Sequence, residues 1–139
     1  MEKIYITNGQ ISKFESFMEP IYEKYRLYSY AGAIHIAIES VLNIVNQDII
    51  LSFSHYKDGI CFSIEVNSDL FSQISFSDTK NQNFDALFLI KHLANSIDIS
   101  QDGKIMKLFF SIDGIEEELS VSRKEKIKAY SFRKVKILQ

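Results

Sequence analysis

The stretch Ile49-Ile50-Leu51-Ser52-Phe53-Ser54-His55-Tyr56-Lys57-Asp58-Gly59-Ile60-Cys61-Phe62-Ser63-Ile64-Glu65-Val66 decides the fold class. Apolar and polar residues alternate on both sides of Tyr56-Lys57-Asp58-Gly59, and a period of two turns every second side chain to the same face. Asp-Gly between two such runs is a strong hairpin signal. Residues 49–55 and 60–66 therefore read as two antiparallel strands that bury one face.

Immediately upstream, the period changes. From Ala31 to Gln47, Ile34, Ile38, Val41, Leu42 and Val45 recur every three or four residues, which is one apolar stripe on a helix. The opposite face carries His35, Glu39, Asn43 and Asn46 at steps of four, four and three, so their side chains project along one line. Further upstream, Ile11, Phe14, Phe17, Met18, Ile21, Tyr22, Tyr25 and Tyr28 follow helical spacing. Pro20 lies inside that pattern and predicts either a kink or the first turn of a second short helix. Residues 3–7 alternate and end at Asn8-Gly9, a short first strand and a turn.

Downstream, residues 67–83 are polar and loosely periodic, which predicts a long loop. A third helix follows from about Asp85 to Asn95 with Leu87, Phe88, Ile90 and Leu93 packed and Asn83 or Asp85 as its cap. A second hairpin, Ser96 to Ser100 and Lys104 to Ile112, turns at Gln101-Asp102-Gly103. The tail from Val121 partly alternates and predicts an edge strand. The expected architecture is α/β of the α+β type: a two-layer sandwich with helices on one face of a mixed, mainly antiparallel sheet. Residues 1–114 form its body and 115–139 a basic C-terminal extension of the same domain.

A chain of 139 residues is long enough for a core of its own. Its single cysteine, Cys61, excludes an internal disulfide and points to a reducing cytoplasm. No apolar run approaches the roughly 20 residues that a bilayer requires, so no membrane partner is expected. Seven basic residues against Glu125 occupy Arg123–Gln139, which leaves the body strongly acidic within a net charge of −2. Such a tail suits an anionic partner or the acidic body of its own or a neighbouring subunit. The basic residues interleave with Tyr130 and Phe132, but lysines guarding an edge strand account for them more simply than nucleic-acid binding. His35, His55 and His92 share no metal-ligand spacing with one another or with Cys61, so no zinc site is expected.

Ala37-Ile38-Glu39-Ser40-Val41-Leu42-Asn43-Ile44-Val45-Asn46 resembles the N box of the GHKL, or histidine-kinase-like, ATPase superfamily, in particular its small anti-sigma-factor serine kinases. The resemblance spans roughly residues 3 to 112 and includes the order of elements. It implies Glu39 as the catalytic residue that polarises a hydroxyl or water. It also implies Asn43 as ligand of magnesium and Asn43 and Asn46 in binding ATP. Phe84-Asp85-Ala86-Leu87 stands where the family has its second glycine box, and Ser68 or Asp69 where the first has its adenine-reading aspartate.

Neither box keeps its glycines. A phosphate at a helix N-terminus needs bare backbone N–H groups, which Phe84 crowds, and Asp85 adds a repelling charge. The resemblance with these departures implies a regulatory protein that binds a partner protein, such as a sigma factor or an anti-sigma antagonist, with ATP and Mg²⁺ binding weakened or lost. The alternative is an active Mg-ATP-dependent serine/threonine protein kinase or ATPase. A homodimeric scaffold using the hairpin edge and the tail is a third arrangement.

Overall fold

The computed structural model describes residues 2–8, 10–74 and 84–112, the side chains of Phe84 and Asp85 excepted. The elements run β1 (Glu2–Ile6), α1 (Ile11–Lys24), α2 (Ala31–Val45), β2 (Ile49–Tyr56), β3 (Gly59–Glu65), a 3₁₀ turn (Leu70–Gln73), α3 (Phe84–Leu93), β4 (Ser96–Ile99) and β5 (Ile105–Ser111). Five strands form one sheet in the order β1-β2-β3-β5-β4. All four pairings are antiparallel, so where a mixed sheet was expected the described strands carry no parallel pair. The edge strand expected in the tail, the basic extension and loop residues 75–83 lie outside the described residues.

Register explains why the sheet has one wet and one dry face. Ile4, Leu51, Ile64, Met106 and Ile99 stand side by side across all five strands, with Phe53, Phe62, Leu108 and Ile97 in the next such row. One residue along, Lys3, Ser52, Ser63, Lys107 and Asp98 form the corresponding row of the opposite face. A slip of one residue in any strand would exchange the two rows, which fixes the pairing. The helices supply the other half of the core, chiefly Phe14, Met18 and Ile21 from α1, Ile34, Ile38 and Val41 from α2, and Leu87 and Ile90 from α3. The two-layer α+β sandwich is thus the fold.

Helix α1 runs unbroken through Pro20. The proline is exposed and costs only the bond its missing N–H would make to the Ser16 carbonyl, while Met18, Ile21 and Tyr22 on the buried stripe hold both sides of it. Helix α2 ends at Val45, two residues earlier than Gln47, because Asn46 adopts the left-handed conformation at φ 50°, ψ 39°. Its N–H bonds back to the Leu42 carbonyl at 3.3 Å, and asparagine tolerates that backbone better than most residues.

Candidate functional site

The line of polar residues expected on α2 divides into two parts. His35 Nε2 lies 3.2 Å from Glu39 Oε2, one helical turn away, with both side chains partly exposed. The His35 ring also rests on Phe14, with ring centroids 5.2 Å apart. Glu39 is therefore oriented by an imidazole one turn away, an arrangement suited to general acid–base chemistry.

Asn43 and Asn46 belong to a different feature, a cavity of about 290 Å³ at the C-terminal end of α2. Ile6, Ile11, Leu42 and Ile49 line it with apolar surface, and Thr7, Asn8, Gln10, Asn43, Asn46 and Gln47 with polar groups. Glu39 does not line it. Asn46 lies beyond the helix end and so leaves the line of His35, Glu39 and Asn43.

Hydrogen bonds from distant segments hold this cavity together. Asn8 Nδ2 donates to the Asn46 carbonyl at 3.1 Å and to Asn46 Oδ1 at 3.4 Å. The Asn8 N–H and the Tyr5 hydroxyl donate to the two oxygens of Asp48 at 2.7 and 2.8 Å. Those bonds, the backbone one foremost, hold the Asp48 carboxyl below the usual carboxylate range. Gln47 Nε2 donates to Ser68 Oγ at 3.1 Å, which brings one of the two candidate adenine-reading positions to the edge of the cavity.

Asp69, the other candidate, is engaged locally. Its carbonyl accepts from Ser72 and its carboxylate from Gln73 Nε2 at 3.3 Å. Phe71 is buried in the core, and its N–H donates to the Gly103 carbonyl at 3.0 Å. The segment where the first glycine box would lie is thus folded down onto the turn between β4 and β5. At the second box, Phe84 opens α3, Ala86 is half-buried and Leu87 points into the core at 1% exposure. The Asp85 side chain lies outside the described residues.

Among the described residues, these positions bring Asn43 together with carboxamides and apolar side chains rather than with carboxylates. Among the described residues no carboxylate, lysine or arginine lines the cavity, whereas magnesium is held by one or two carboxylates together with phosphate oxygens. Asn43 offers a single carboxamide oxygen. Among the described residues no group of three or more His, Cys, Asp or Glu side chains is arranged to hold a metal ion. Cys61 is buried, and burial pushes its thiol above the usual range, as suits a small core side chain.

Sequence reasoning missed Thr7, Asn8, Gln10 and Gln47. Asn8 read only as turn chemistry, and the alternation that ends at Thr7 gave no sign that the next residues close a cavity against α2. No described helix is long and apolar enough to cross a membrane. Compared with protein-family models the chain matches none, and no curated protein matches it.

Proposed function

We propose that the chain is a cytoplasmic regulatory protein of histidine-kinase-like ATPase descent that acts by binding a partner protein, with nucleotide binding weakened or lost. The observation that carries this reading is the seating of Phe71. The segment that would frame an adenine is used instead as core, tied through the Phe71 N–H to Gly103. The uncharged lining around Asn43 supports it further, since a triphosphate brought there would meet no cation among the described residues.

The partner surface in this reading is the helical layer. Ile36 on α2 and Phe88 and Leu89 on α3 remain exposed at 45%, 49% and 41%. α2 and α3 pack against each other. Exposed apolar side chains of this size suit a protein partner, with a sigma factor or an anti-sigma antagonist as the class that the resemblance suggests. Asn43 and Asn46 then serve structure or partner binding rather than magnesium.

Isothermal titration with ATP in magnesium buffer tests the reading. No heat at high concentration is the expected result. Binding that weakens in Asn43→Ala would overturn it in favour of the kinase or ATPase reading, for which the Glu39–His35 pair supplies the acid–base group.

A further inference from the structure

The cavity between the start of α1 and the end of α2 has an unusual lining: five of its ten residues are carboxamides and none is charged. Three of the five are committed. Asn8 and Asn46 are bonded to each other, and Gln47 to Ser68. The side chains of Asn43 and Gln10 have no hydrogen-bond partner among the described residues, Gln10 standing at the N-cap of α1 without making a cap bond. We infer that this cavity is a binding site for an uncharged amide group, received by the carboxamides of Asn43 and Gln10 above the apolar floor of Ile6, Ile11, Leu42 and Ile49.

Three properties of the lining select that chemistry. A carboxamide carries a carbonyl acceptor and an N–H donor side by side, so it pairs best with a group that offers the complementary two, which is another amide. Among the described residues the wall carries no lysine, arginine, aspartate or glutamate, so a charged ligand would meet no counter-charge from them. The cavity also lies between the uncapped beginning of α1 and the last carbonyls of α2. The field between a positive and a negative helix end orients a dipole, while the α2 end opposes an anion. At about 290 Å³ the space stands near the small end of ligand pockets, which start at roughly 300 Å³. It suits one amide-bearing group rather than a large cofactor. The committed carboxamides keep the walls in place, so a ligand meets a site already formed.

The same chemistry has two sources, a free small molecule such as glutamine or an amide within a peptide segment. The test follows the side-chain NH₂ resonances of Asn8, Gln10, Asn43, Asn46 and Gln47 in the full-length chain by NMR. The probes are N-acetylglutamine N-methylamide, its glutamate counterpart and free glutamine. The expected result is saturable movement of the Asn43 and Gln10 signals by the neutral capped probe, with at least about tenfold weaker binding of the glutamate probe. Asn43→Leu should abolish the movement while the backbone spectrum stays folded. Gln10→Ala, at an exposed position, should weaken binding independently. Binding of free glutamine as tight as that of the capped probe assigns the small-molecule source, and binding of the capped probe alone assigns the peptide. Equal affinity for the glutamate probe, or signals that no probe moves, overturns the inference. It stands apart from the partner-binding reading: absence of Mg-ATP binding leaves it untouched, and absence of amide binding leaves the surface of Ile36, Phe88 and Leu89 untouched.

Discussion

The α-carbon of Gly103 faces Ser72 so closely that a β-carbon on it would lie 2.7 Å from the Ser72 β-carbon and 2.9 Å from the Asp69 carbonyl oxygen. Gly103 is also at φ +71°, where side chains other than hydrogen are strained. Gly103→Ala should therefore destabilise the domain by about 2–4 kcal/mol, strain and overpacking together, as read by urea unfolding. Ser72→Gly in the same chain should recover only part of the loss, because the backbone conformation is unchanged.

The Tyr22 hydroxyl is buried with no hydrogen-bond partner among the described residues. Burial first, and the Glu19 charge second, push its ionisation up to about 12. In the unfolded chain the phenol ionises near pH 10, so between these values the unfolded state holds fewer protons and stability falls as pH rises. Tyr22→Phe should raise stability near neutrality by about 1 kcal/mol and flatten the decline above pH 10. Thermal melts of both proteins across the alkaline range measure the two effects together.

Asp48 accepts from the Asn8 N–H and the Tyr5 hydroxyl, and its pKa is lowered accordingly. A depressed carboxyl contributes stability above its unfolded pKa and loses it as pH falls through the folded value. Wild type should lose stability below about pH 4 with a slope that Asp48→Asn reduces. The same variant should loosen the β1–α1 turn, seen as faster amide exchange at Asn8.

The Glu39–His35 pair is partly exposed, so its contribution to stability is small, about 0.5 kcal/mol or less in a double-mutant cycle. Glu39→Ala should leave the melt nearly unchanged. Any ATP turnover the wild type possesses should disappear in that variant. Turnover that persisted would remove Glu39 from the chemistry.

Much of the fold was legible in local sequence. The alternation around Asp58-Gly59 and the stripe from Ile34 to Val45 each answer to a single period, and the structure follows both within a few residues. What escaped was decided by partners far away. Phe71 is one of four large apolar residues in a mostly polar stretch, and its tie to the turn at Gly103 shows how it comes to be buried. Pro20 reads as a breaker, yet the packing on either side outweighs one lost hydrogen bond. The position of Asn46 on the helical line was sound periodicity, overridden by the left-handed backbone that ends α2. The polar face of α2 was visible. Its division between an ion pair and a cavity was not, because Asn8 and Gln10 come from another element.

The bond from Asn8 to Asn46 joins positions 38 residues apart, and that from Gln47 to Ser68 joins positions 21 apart. No fragment containing α2 alone carries these closures, and each requires loop entropy to be overcome before it contributes. The cavity consequently exists only where the β1–α1 turn, the end of α2 and the segment after β3 are all in place. Anything held there is coupled to the integrity of the whole sheet, so occupancy reports on, and raises, the global unfolding free energy rather than that of one helix.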